Sequence, residues 1–194
     1  MCGRYYIDRA LTDRIRKIVK EADCEIGEEV FDKDIYPTDL VPVIISGERG
    51  LKLACQRWGY PGYQGKGVVF NARAESVMGK RMFYNGIRYN RAVIPAGGFY
   101  EWNHNKEKIR FLRKDSSIMY LAGFYNKFED GSRFVILTTE ANASVVKAHG
   151  RMPLVLEEDQ IEGWIQDNEK AAEILKQIPV MLDKKAEYEQ QTLF

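Results

Sequence analysis

Two reactive groups can meet on one residue at the start of this chain. Cys2 follows the initiator methionine, and a small residue at that position is compatible with Met1 excision. Cys2 would then carry both a free α-amine and a thiol. These groups titrate near ~8 and ~8.5 in reference peptides, so each has a reactive fraction at neutral pH. Such a pair does with an aldehyde what an internal cysteine cannot. The amine condenses to an imine, and the sulfur closes on the same carbon to give a five-membered thiazolidine, more durable than a Schiff base. Cys24 and Cys55 fall in a helical and a strand pattern and read as packing residues. Three cysteines without a CxxC pair argue against a disulfide framework or a zinc knuckle, and a reducing compartment would keep Cys2 a thiol. Two histidines, His104 and His149, are too few for a histidine-rich metal centre.

Three later segments hold polar groups suited to such chemistry. In Asn71-Ala72-Arg73-Ala74-Glu75 an extended backbone puts an amide, a guanidinium and a carboxylate on one face and two alanines on the other. The run from Val93 to Trp102 is an apolar strand, then Pro and two Gly, then Glu101 between Tyr100 and Trp102. A carboxylate among aromatic rings has its pKa raised by desolvation, which suits a general acid or base. Around Gly150, His149 and Arg151 can point the same way, an imidazole for moving protons and a guanidinium for a phosphate. His104 sits in a polar run and reads as a solvated loop residue.

The elements that must position these residues are mostly strands. Leu11, Ile15, Ile18, Val19 and Ala22 recur at helical spacing, an amphipathic helix over a sheet. Val41–Ser46 and Leu51–Trp58 flank Gly47-Glu48-Arg49-Gly50 as a hairpin, and residues 59–67 read as a surface loop. Val68–Phe70 delivers the chain to Asn71. Further strands are expected at Arg91–Ile94, Lys108–Arg113, Met119–Phe124, Phe134–Thr138 and Leu154–Leu156. Short helices are expected at Ala143–Ala148, Glu158–Trp164 and Asn168–Lys176. The pattern is an α+β fold in a single domain over residues 1–194, a barrel-like core of short, mostly antiparallel strands with peripheral helices. Residues 157–194 are expected to form an acidic helical segment.

No run of about 18 apolar residues would span a membrane, and the N-terminus lacks the apolar stretch of a secretory signal. A cytoplasmic protein is expected, monomeric by default. The net charge of +1 conceals an asymmetry: 10 acidic and 4 basic residues from Pro153 onward, 18 acidic and 25 basic before it. A basic body with an acidic tail is compatible with binding phosphates on one face.

Taken together, Met1-Cys2-Gly3-Arg4, Trp58-Gly59, Asn71 through Glu75, Pro95 through Trp102, Thr138-Thr139 and His149 through Pro153 resemble the SRAP family, the SOS-response-associated peptidases, in the family's order. The resemblance implies a sensor of abasic sites in single-stranded DNA that crosslinks to them through Cys2, nucleoid-associated when bound. It implies that Asn71 orients the amine and sugar, Glu101 relays protons, and His149 helps open the sugar. Arg4, Arg73, Arg81 and Arg151 match the family's phosphate contacts. Thr139 joins the DNA-binding set, and Trp58 with Tyr60 is expected to stack on or wedge between flanking bases. No metal or cofactor is implied. Ala74 stands where many members have Ser, Gly97 where Asp or a small polar residue is frequent, and Phe124-Tyr125 lacks a common Trp. Two other readings fit the same residues: a cysteine peptidase with His149 as base and Glu101 as its partner, and a non-covalent single-strand-binding module.

Overall fold

The computed structural model describes residues 2–23, 32–116 and 118–187. Its centre is a five-stranded barrel. Leu40–Gly47 and Gly50–Trp58 form the expected hairpin, with Gly47 opposite Gly50 and Gly50 at φ +129°, where a side chain would be strained. Leu40–Gly47 also pairs with Arg91–Ala96, which pairs with Met119–Phe128, which pairs with Gly131–Glu140. All these contacts are antiparallel. A parallel contact, Phe134 opposite Trp58 and Arg133 opposite Arg57, closes the ring. Closure leaves these strands no free edge, and Val93, Ile94, Leu121, Phe124, Phe134 and Ile136 are fully buried.

A second antiparallel sheet runs in the order Asp183–Glu187, Lys108–Leu112, Gly98–Trp102, Tyr5–Ile7, Lys33–Ile35. The chain leaves the barrel at Ala96 and enters this sheet at Gly98, turning at Gly97. There the Gly97 N–H donates to the Tyr6 carbonyl at 2.9 Å, and the Tyr6 hydroxyl donates to the Gly97 carbonyl. A Cβ on Gly97 would lie 2.3 Å from the Tyr6 ring. Tyr6 therefore leaves no room for a side chain at position 97.

Helices cover the outside. Ala10–Ile18 buries Leu11 and Ile15. Ile161–Gln166 buries Trp164, whose Nε1 donates to the Ala92 carbonyl at 2.9 Å. Asn168–Ile174 is capped by Asp167, which accepts the Glu169 and Lys170 N–H groups.

Several boundaries differ from expectation. The first helix stops at Ile18, and Glu21–Ala22 is instead a short strand beside Lys52 and Leu53. Ala143–Ala148 makes turns rather than a helix. The C-terminal segment is helical only to Ile174, and Asp183–Glu187 is a strand. Pro179 interrupts the helical stretch, and the open edge of Lys108–Leu112 offers backbone partners to Asp183–Glu187. Residues 188–194 lie outside the described residues. Cys55 is disulfide-bonded rather than merely packed; Cys24 lies outside the described residues. Among the described residues no helix is long and apolar enough to cross a membrane.

Candidate active site

Cys2 lies just ahead of the Tyr5–Ile7 strand and is fully buried, its Sγ 3.7 Å from the Arg4 carbonyl. Burial, reinforced by the charge of Glu101, pushes its thiol well above the usual range. A sulfur so placed stays protonated until a neighbouring base takes the proton.

Asn71 opens the Asn71–Arg73 strand, which lies parallel to Ile136–Thr138 of the barrel. Its Nδ2 donates to the Cys2 carbonyl at 2.8 Å. Its Oδ1 is buried and has no hydrogen-bond partner, which leaves one acceptor of the amide open. As alternation predicted, Ala72 and Ala74 are buried while Arg73 and Glu75 are exposed. A buried Ala74 fits the absence of a hydroxyl there.

Glu101 comes from the second sheet. Tyr5 pairs with Phe99 in the adjoining strands, and this pairing brings the carboxylate strand to the amino-terminal residues. Glu101 is 3% exposed. Burial raises its pKa, against the opposing pull of the chain's amino terminus and of His149. Glu101 is thus within electrostatic reach of both Cys2 and His149.

His149 ends the turn that begins at Asn142. Its Nδ1 accepts the Arg151 N–H at 2.9 Å and lies 3.3 Å from the Arg151 carbonyl; in the tautomer that accepts this N–H, the ring proton sits on Nε2. The Arg151 guanidinium grips Glu75 with both ends, at 2.8 and 2.9 Å, and donates to the Thr138 carbonyl at 2.6 Å. This bidentate pair holds the Glu75 carboxyl below its usual range and ties the Asn71–Glu75 segment to the His149 turn. Both terminal nitrogens of Arg151, expected on a phosphate, are thus engaged within the protein, while its Nε is buried without a partner. Thr138, not Thr139, is the buried threonine at this junction, accepting from Arg151 and donating to the Ala72 carbonyl at 3.3 Å. Thr139 is half-buried opposite Met152.

The proposed stacking residues need correction. Trp58 is 0% and Tyr60 1% exposed. Trp58 packs on Tyr5 and Phe134 and donates its Nε1 to the Phe70 carbonyl, whereas stacking on a base requires an open ring face. The exposed rings lie elsewhere. Tyr36 and Trp102 flank the Arg4 guanidinium at 4.6 and 4.9 Å, and Arg4 also pairs with Asp34 at 3.5 Å. Arg73 and Arg81 are exposed, and Arg81 borders a groove with Met82 and Asn126. His104 is exposed in its turn, as expected.

Tyr5 was not singled out from sequence. It is fully buried, with a hydroxyl that lacks a partner and whose ionisation is suppressed by burial first and then by Cys2 and Asp39. Nothing in its spacing distinguished it from a core tyrosine. Among the described residues no three His, Cys, Asp or Glu side chains converge as a metal site requires. What the cluster offers is a buried thiol, a carboxyl whose pKa burial raises, an imidazole and an amide.

Comparisons with known proteins extend over nearly the whole chain. The family model for SOS response associated peptidase (SRAP) matches residues 1–191. The chain is 28% identical to the abasic site processing protein YoaM of Bacillus subtilis, over 94% of this chain and 87% of that one. It is 26% identical to the abasic site processing protein YedK of Escherichia coli, over 86% and 80%. In fold it is similar to a crystal structure from Bacteroides thetaiotaomicron, with a TM-score of 0.83 at 22% identity, covering 97% of this chain and 93% of that one.

Proposed function

The chain belongs to the SOS response associated peptidase (SRAP) family, and on that premise we propose that it processes abasic sites in single-stranded DNA by bonding to them through Cys2. The observation that carries this reading is the Asn71 amide on the Cys2 carbonyl at 2.8 Å, with buried Glu101 within electrostatic reach of the Cys2 sulfur. This is a device for holding the second residue of a chain still, and little but chemistry at the amino terminus requires it. The names of the relatives supply the substrate class.

The reaction needs Met1 removed. As the abasic sugar opens to its aldehyde, the bond from the anomeric carbon to the ring oxygen breaks; the anomeric hydroxyl releases its proton to solvent, and the ring oxygen, hydrogen-bonded by the His149 ring N–H, takes one up. The Cys2 amine adds to the aldehyde carbon, and loss of water gives an imine. Sulfur then adds to that carbon: a C–S bond forms, the thiol proton passes through Glu101, and the imine nitrogen takes it up. A carboxyl with a raised pKa can both take and return a proton near neutrality. Amine, thiol and aldehyde react by proton transfers alone, so the scheme calls on no cofactor. Arg4, Arg73 and Arg81 serve the phosphates, and Tyr36 and Trp102 the bases. The protein acts as a monomer, at the nucleoid when on DNA and otherwise in the cytoplasm.

The test is a denaturing gel of Met1-processed protein with intact and abasic oligonucleotides. A heat-stable adduct on the abasic strand alone is expected, absent in Cys2→Ala. Equal adduct from Cys2→Ala sinks the mechanism. Acetylating the α-amine should also abolish it, whereas a peptidase using the Cys2 thiol would be spared.

A further inference from the structure

Arg91 is a buried cation surrounded by neutral acceptors. It opens a barrel strand and is 6% exposed. Its Nε donates to the Trp164 carbonyl. Its Nη1 reaches the Ile87 and Arg88 carbonyls at 3.2 and 3.1 Å and Asn168 Oδ1 at 2.9 Å. Nη2, with two N–H groups, makes one bond, to the Ile165 carbonyl at 3.3 Å. The carboxylate of Asp167 acts on Arg91 only through its field and is occupied in capping its own helix. A buried charge without a paired counter-ion is among the costliest arrangements in a protein.

Arg91 borders a cavity of about 600 Å³ between the Tyr84–Tyr89 and Asn168–Ile174 helices, a size that small organic ligands fill. Ile87, Ala171 and Leu175 give it an apolar lining, and Arg88 and Lys176 add two more cations. Among the described residues lining it the one carboxylate is Glu75, which Arg151 already holds. We propose that this cavity binds a small organic anion, its acidic group against Arg91, Arg88 and Lys176 and its apolar body on Ile87, Ala171 and Leu175. The wall also connects to the candidate active site. Glu75 holds the Arg151 side chain, and the Arg151 backbone N–H holds His149 Nδ1, so occupancy is transmitted to His149. The inference concerns a different site from Cys2 and stands or falls without the capture reaction.

Titration of the full chain with anilinonaphthalene sulfonate, a fluorescent aromatic anion, tests it. One saturable site is expected. Joint Arg88→Glu and Lys176→Glu substitution, both at exposed positions, should weaken binding by about tenfold or more at low salt. Uncharged phenylnaphthylamine should bind about tenfold more weakly than the sulfonate. Ala172→Trp, on the exposed rim, should obstruct the cavity with the fold intact by circular dichroism. In a His104→Gln background the ring-nitrogen NMR shifts of His149 should move in step with saturation. Binding indifferent to the charge reversals, to the probe's charge or to Ala172→Trp overturns the site. Saturation that leaves the His149 shifts unmoved overturns the coupling.

Discussion

The side-chain amide of Asn71 and the carbonyl of Cys2 form a 2.8 Å hydrogen bond across 69 positions of sequence. A residue next to a chain end has covalent support on one side only, and this bond supplies support on the other. Asn71→Ala removes the donor and leaves a buried carbonyl unsatisfied, at about 1–3 kcal/mol. Its larger effect is on geometry, since loosening a reactive amine by about 1 Å can cost roughly a hundredfold in rate. Single-turnover adduct formation on an abasic oligonucleotide should therefore slow by about two orders of magnitude. DNA affinity should stay near wild type. An unchanged rate would remove Asn71 from the mechanism.

The raised pKa of Glu101 makes a stability prediction whose sign is fixed. The folded protein holds this proton to higher pH than the unfolded chain, where a glutamate titrates near ~4.3. Stability is therefore fully present below that value and declines as pH rises through Glu101's folded pKa. Glu101→Gln has no proton to lose. In urea unfolding from about pH 4 upward, the variant should match wild type at the acid end and gain on it as pH rises. Its adduct formation should fall by about two to four orders of magnitude. Stability profiles that run parallel across the whole range would contradict burial as the dominant cause of the shift.

Arg151 and Arg73 resemble each other in sequence and differ in the structure. Arg151 is spent on Glu75 and Thr138, while Arg73 is exposed. A phosphate contact reveals itself in the salt dependence of binding, each one contributing about 0.7 to the logarithmic slope on single strands. Arg73→Gln should lower the slope by about that amount and leave Tm nearly unchanged. Arg151→Gln should leave the slope alone, lower Tm, and slow the adduct by releasing the His149 turn. A drop in slope for Arg151→Gln would show that its guanidinium leaves Glu75 for DNA.

Alternation made the hairpin, the barrel strands and the exposed face of Asn71–Glu75 legible, because period-two burial is a local property that the chain carries in its residue order. Contacts between distant segments were not legible. The grip of Arg151 on Glu75 spans 76 positions, and the parallel seam of Trp58 with Phe134 depends on barrel closure that no single segment encodes. Likewise Asp183–Glu187 is a strand only because Lys108–Leu112 leaves an edge beside it. Of the site, Cys2, Asn71, Glu101 and His149 were readable as residue types in ordered motifs, and the structure brings them together. Tyr5 was not readable, since a buried tyrosine announces itself in sequence only as hydrophobic.

Trp58 and Trp102 test the same lesson by substitution. Trp58 has no exposed surface, contacts Tyr5, Phe70 and Phe134, and donates to a backbone carbonyl. Truncation to Ala would leave a core cavity and cost about 3–5 kcal/mol, enough to threaten folding. Trp58→Phe is the informative change: it keeps an aromatic filler, loses the N–H bond, and should lower Tm while leaving DNA affinity as it was. Trp102 is 37% exposed with its ring against Arg4. Trp102→Ala should hardly alter Tm, since an exposed cation–π contact contributes about 0.5–1 kcal/mol. It should weaken single-strand binding by the worth of one stacked base, about 1–3 kcal/mol. Fluorescence anisotropy with an unmodified oligonucleotide, which cannot form the adduct, separates the two. If Trp58→Phe weakens binding and Trp102→Ala does not, the DNA must reach the barrel side of the Arg4 cluster, and Tyr36 and Trp102 are not its stacking surface.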